Sequence, residues 1–136
     1  MNRKMKKYYL PFDLSLNVNY NYIISLYSIA VFDTNTKRFN SIQYKSIKQL
    51  AEILNISDKT LKKILTDDNY KHFFTVDKTN KTIYINNDFV NNNFNIPFVV
   101  LYDNEINILL KQNDNLLFKY FIYIKYFCGY SKQKNM

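Results

Sequence analysis

The side-chain types that do catalytic or metal chemistry are scarce in this sequence, and lysine is not. His72 and Cys128 are each the single member of their type. A Cys/His zinc site needs about four such ligands, so no structural zinc is expected. One cysteine cannot close an internal disulfide, which fits a reducing cytoplasm. Gly129 is the one glycine. Phosphate loops and dinucleotide fingerprints need several, because glycine lets the backbone approach phosphate oxygens closely. Asp67 and Asp68 have the form of a carboxylate pair for general acid–base work, yet no nucleophile or metal partner accompanies them, and the turn at a helix end is their expected setting. His72 falls in a strand-like run, the place of a core or hairpin residue. Cys128, next to Gly129, reads as a small buried residue at a helix end. The expectation is a protein that is not an enzyme, with no catalytic residues, no metal, no cofactor and no small-molecule substrate.

The basic residues offer a different chemistry. Lys and Arg total 19 against 11 acidic residues, a net charge of +8, with a pI near 9.4. Such an excess favours a polyanionic partner, nucleic acid first and an anionic membrane surface second. The charge is concentrated in the N-terminal Met-Asn-Arg-Lys-Met-Lys-Lys and between Lys37 and Lys81. For the N-terminal arm a solvated tail and a phosphate-binding arm are both open. Tyr8 and Tyr9 beside it are a weak signal for stacking on single-stranded bases. No stretch reads as a membrane span: the longest apolar run, Leu116 to Cys128, is too short and carries Lys119 and Lys125. The N-terminus reaches Pro11 too soon for a signal peptide. A cytoplasmic protein that binds no membrane is expected.

These side chains need elements to hold them. A chain of 136 residues is about one domain, and 47% hydrophobic residues, including 13 Tyr and 11 Phe, suffice for a core. Tyr20 to Phe32 reads as a helix, with Ile23, Leu26, Tyr27, Ala30 and Val31 inward. Phe39 to Tyr44 is a short strand or extended lead-in. Ser46 to Asn55 is a second helix, with Ser46 as N-cap, Gln49 completing a capping box, and Asn55 as the stop. Ser57 to Thr66 is a third, capped by Ser57 or Asp58, with Leu61, Ile64 and Leu65 inward. Lys71 to Asp77 and Lys81 to Asn86 form a hairpin around Lys78-Thr79-Asn80. The asparagines at 91, 92, 93 and 95 before Pro97 mark a loop. Phe98 to Leu101 reads as a strand, Asp103 to Gln112 as a helix capped by Asp103, and Leu116 to Cys128 as a helix ended by Gly129. The fold class is α+β, mainly helical, in one domain over 1–136: a basic arm and extended lead-in (1–18), a central unit (19–90) and a C-terminal helical extension (96–136).

The most informative segment is Ser46 to Leu65, SIKQLAEILNISDKTLKKIL: helix, tight turn, helix. Ala51 is small where the helices cross, Ile56 plugs the turn, and Leu61 and Ile64 lock back onto Leu50 and Leu54. This resembles the helix-turn-helix of bacterial DNA-binding proteins, and the hairpin that follows makes it similar to the winged-helix variant. Asn55 stands where unwinged versions usually place Gly. With its leading helix and appended helices, the layout resembles the DNA-binding domains of low-GC bacterial plasmid and phage proteins that act in replication, conjugation or transcription control. The resemblance implies a double-stranded DNA partner and a recognition helix, Ser57 to Thr66, in the major groove. It assigns Ser57, Lys59, Thr60 and Lys63 to base edges or the groove, Lys45, Lys48 and Lys62 to phosphates, and Lys78 and Lys81 to the minor groove or backbone beside the hairpin.

Two alternatives stay open at this level. Winged helices also serve as protein-interaction modules, so the chain could instead bind another protein or inhibit a nucleic-acid enzyme. The aromatic run Leu116 to Cys128 is apolar on nearly every side: Leu117, Tyr120, Phe121, Ile124 and Phe127 share one face, and Phe118, Ile122, Tyr123 and Tyr126 cover most of the rest. Such a helix is either buried at the centre of the domain or forms a homodimer interface.

Overall fold

Asn19 opens the first helix, its side chain accepting the Asn21 N–H at 3.0 Å. The computed structural model describes residues 7–11, 17–35, 38–86 and 98–134, and the side chains of 38–39 and 129–134 fall outside that description. Helix α1 (Tyr20–Ser28) is the hub of the core: Tyr20, Ile23, Ile24, Leu26 and Tyr27 are all fully buried. It is shorter than its periodicity suggested. The chain leaves the helix at Ile29 and Ala30, and Val31–Asp33 (β2) pairs antiparallel with Arg38–Gln43 (β3). Val31 is therefore exposed rather than inward. A β-branched residue followed by an aromatic suits a strand at least as well as a helix, and pairing with β3 decides between them.

Helices α2 (Ile47–Leu54) and α3 (Asp58–Thr66) follow. A 3-10 helix, Asp68–His72, then leads into the hairpin of β4 (Phe74–Asp77) and β5 (Thr82–Ile85). His72 is thus not in a strand; it is an exposed residue of the 3-10 helix. Asp67 caps that turn, accepting the Asn69 N–H at 2.9 Å. The four strands form one antiparallel sheet in the order β2-β3-β5-β4. Opposite Ile83 stand Ile42 on one side and Val76 on the other, and Phe74 faces Ile85; Ile42, Phe74, Ile83 and Ile85 enter the core, where the Phe74 ring meets Tyr27 of α1 edge-on at 5.8 Å.

The hairpin loop runs one residue beyond the expected turn. Asp77 pairs with Thr82, so Lys81 belongs to the loop, with φ at 49°. Asp77 accepts the Asn80 N–H at 3.1 Å and its side-chain amide at 2.8 Å, and these bonds hold the Asp77 carboxyl below the usual carboxylate range. Among the described residues the left-handed positions are Asn55, Lys81 and Asn113. In a chain with one glycine, asparagine takes such places most readily, because its short polar side chain tolerates them.

The second sheet has two strands. β1 (Lys7–Pro11) pairs antiparallel with β6 (Phe98–Tyr102), burying Tyr8 and Leu10 against Leu101 and Val99. Tyr8 is therefore not available to stack on bases: its hydroxyl donates to Asp103 at 3.2 Å. The basic residues before Lys7 and the asparagines at 91–95 lie outside the described residues.

Helix α4 (Asp103–Gln112) starts with Glu105 accepting the Tyr102 N–H at 3.0 Å, so Tyr102 rather than Asp103 holds the cap position. Helix α5 (Asn115–Lys134) is capped by Asp114, which accepts the Leu116 and Leu117 N–H groups. It runs through Gly129 instead of ending there. A helix-interior glycine costs about 1 kcal/mol relative to alanine, not enough to stop a helix that is anchored elsewhere.

Two outcomes follow. The Tyr27 hydroxyl is buried without a hydrogen-bond partner, and burial pushes its pKa far above the usual phenol value; burial does the same to Tyr8, helped by Asp103, and raises Tyr70. The folded state holds these phenols neutral while the unfolded chain ionises near 10, so stability is complete below that pH and falls as pH rises above it. Tyr27→Phe is expected to match or exceed the parent by up to ~1 kcal/mol at neutral pH. It should also lose less stability between about pH 9 and 11, as read by urea unfolding. At Lys81, Lys81→Val should cost ~1–2 kcal/mol because a β-branched side chain resists positive φ, whereas Lys81→Asn should melt within a few degrees of the parent by calorimetry.

Candidate nucleic-acid interface

The α2–α3 unit is shaped by short-range bonds that its sequence encodes locally. The Ser46 hydroxyl accepts the Gln49 N–H at 3.1 Å. The Gln49 side chain reaches back to the Lys45 N–H at 2.9 Å, one residue before the cap. At the other end Asn55 adopts φ 58°; its N–H bonds to the Glu52 carbonyl, and the Ile56 N–H bonds to Ala51 at 3.0 Å. These paired bonds satisfy the last carbonyls of α2, and the left-handed residue turns the chain sharply toward α3. Leu50, Ala51, Leu61 and Ile64 are buried between the helices and the core, with Ile56 half-buried at the turn.

Two concave surfaces flank α3. The first, about 540 Å³, lies between α2, the C-terminal half of α3 and the β4–β5 loop. Lys45, Lys62, Lys63, Lys78 and Lys81 line it, above an apolar floor that includes Tyr44, Ile47, Leu65 and Val76. Lys81 is fixed there: its Nζ donates to the Lys45 carbonyl at 3.0 Å. The second, about 490 Å³, lies between the N-terminal half of α3 and the segment before α1. It takes Lys59, Thr60 and Lys63 from α3, with Asn17, Asn19 and Asn115 as polar side chains and Asp67 as its carboxylate. Helical spacing explains the division. Lys59 and Lys63 are four residues apart on one flank, Lys62 and Thr66 on the other, and Lys63 borders both.

Eight of the nine residues singled out from sequence thus surround α3 or cap it. Ser57, Lys59, Lys62 and Lys63 are exposed, and Thr60 is half-buried. Ser57 and Thr60 are committed to the helix cap: Ser57 accepts the Thr60 N–H at 3.1 Å and donates to the Thr60 hydroxyl at 2.8 Å. Lys48 is exposed on α2 and lines neither concavity. His72 and Cys128 are exposed and stand outside both; Cys128 is not the buried helix-end residue its neighbours suggested. Among the described residues no group of three or more His, Cys, Asp or Glu could hold a metal ion.

The apolar floor of the first concavity and the asparagines of the second were not singled out from sequence. Asn19 was detectable as a helix N-cap before Tyr20. Asn115 was not: its side-chain Oδ1 accepts the Tyr20 N–H at 2.8 Å and its side-chain Nδ2 donates to the Val18 carbonyl at 3.1 Å, across 95 and 97 residues of chain.

Among the described residues no helix is long and apolar enough to cross a membrane. No curated protein and no solved structure matches the chain. Residues 27–65 match the NUMOD1 domain, a small DNA-binding domain found in nucleases. The match runs from the last turn of α1 through β2, β3 and α2 to the end of α3, and it supports a DNA-binding domain in this part of the chain.

Proposed function

We propose that the chain is a non-enzymatic, sequence-specific binder of double-stranded DNA, built on a winged helix with α3 as the recognition helix and the β4–β5 hairpin as the wing. The observation that carries this reading is the placement of α3 between two lysine-bearing concavities. A major groove about 12 Å wide admits one helix and is bordered by two phosphate backbones. A helix with cationic hollows on both flanks fits that shape. Lys59 and Lys63 then face the groove and one strand. Lys45, Lys62, Lys78 and Lys81 meet the other, where the phosphates release their counterions. The cap contacts give Ser57 and Thr60 the task of positioning the first turn of α3 rather than reading bases. We extend the proposal, on the resemblance read from the sequence alone, to a role in replication, conjugation or transcription control in the cytoplasm.

With about six phosphates neutralised, log affinity should fall against log salt with a slope near −5 in fluorescence anisotropy; a flat titration would falsify the reading. Changing Lys59, Lys62 and Lys63 together to Glu leaves the core untouched, since all three are exposed. It should abolish DNA retention while circular dichroism stays that of the parent. A correctly folded triple variant that still retains DNA overturns the assignment.

A further inference from the structure

Helix α5 has two apolar faces, and among the described residues the core takes up one. Phe118 and Ile122 are fully buried, with Phe121 and Tyr126 packed beside them, and Lys125 is held on this side by its ion pair with Glu105. Leu116, Leu117, Tyr120, Tyr123, Ile124 and Phe127 are between 44% and 62% exposed. The helix is therefore not the deeply packed central element that its composition allowed.

The exposed set has an order of its own. Leu117, Tyr120, Ile124 and Phe127 follow one another at steps of three, four and three, the spacing of a coiled-coil seam, and Leu116 and Tyr123 widen the seam on one side. Tyr123 and Phe127 pack against each other at 4.6 Å, which stiffens the stripe. No charged residue stands among the six. At roughly 150–250 Å² per large side chain, their exposure amounts to on the order of 600 Å² of apolar surface, the upper end for a monomer's largest patch.

We propose that this face pairs with the same face of a second copy of the chain, two α5 helices packing antiparallel about a two-fold axis. A seam spaced at three and four residues is complementary to another helix seam, and identical seams satisfy each other by symmetry. Two copies remove on the order of 1,200 Å², which reaches the lower limit of a standard interface. Charge selects the same surface: chains of net charge +8 repel, and this uncharged stripe is a place where they can meet without facing lysines. The antiparallel sense follows from the helix macrodipoles, which then lie side by side with opposite ends together. It sets Leu117 opposite the partner's Phe127, and Tyr120 opposite the partner's Ile124.

The test uses the full chain without DNA, so its outcome is separable from that of the DNA-binding reading. Sedimentation equilibrium in moderate salt should show a dimer of twice 16.4 kDa, with a dissociation constant in roughly the micromolar range. Ile124→Glu, at an exposed position, should weaken association about 100-fold with an unchanged melting temperature. Mixing Ile124→Glu with Tyr120→Lys copies should restore dimers, because the two charges face each other only in the antiparallel pair. A monomer at all accessible concentrations, a dimer indifferent to Ile124→Glu, or a monomer that instead partitions onto anionic lipid vesicles through this face overturns the proposal.

Discussion

The Tyr20 ring lies parallel to Phe118 at a centroid distance of 5.3 Å and meets Phe73 edge-on at 5.9 Å. All three side chains are fully buried, and they come from three different parts of the chain: the start of α1, the segment after the 3-10 helix, and the first turn of α5. The polar atoms around them are tied as well. Asn115 bonds the backbone on both sides of Asn19, and the Tyr70 hydroxyl accepts the Asn19 N–H at 2.8 Å. Aromatic packing of this kind adds to burial alone. Here it also fixes where the α2–α3 unit and the C-terminal helices stand relative to α1. One wall of the second concavity beside α3 is made by residues of this junction, so the surface offered to a partner inherits its rigidity.

The lysines show how tertiary structure gathers scattered charge around one concavity. Lys45, Lys62 and Lys78 belong to a strand exit, a helix and a hairpin loop. They meet because β5 pairs with β3 on one side and β4 on the other, which brings the loop over the start of α2. The bond from Lys81 Nζ to the Lys45 carbonyl fastens that arrangement, in a loop whose left-handed residue would ordinarily be glycine or asparagine. An apolar floor beneath charged ends is the natural packing of lysine, whose stem lies along hydrophobic surface while its ammonium stays in water.

Helix α5 illustrates the limit of periodicity. With apolar residues on nearly every side, its sequence does not say which face the core takes. Phe118 and Ile122 are buried because α1 and β6 lie on their side, and the ion pair of Lys125 with Glu105, with Tyr102 and Phe121 rings near the ammonium, anchors the helix there. Once that side is chosen, the opposite seam is exposed by geometry alone.

Interactions confined to a few residues were legible from the start: the Ser46 and Ser57 caps, the Asn55 turn, the inward Leu50, Leu61 and Ile64, and the cationic outer face of α3. Such features depend on hydrogen bonds and side-chain spacing within one or two helical turns, and these are written in the order of residues. The remainder was settled by partners distant in the chain. Val31 joins a strand because β3 offers it pairing, Tyr8 is buried because β6 lies beside it, and α5 passes Gly129 because its anchor lies well before that residue. Burial and pairing between remote segments are properties of the assembled core, where the same apolar residue can face inward or outward depending on what packs against it.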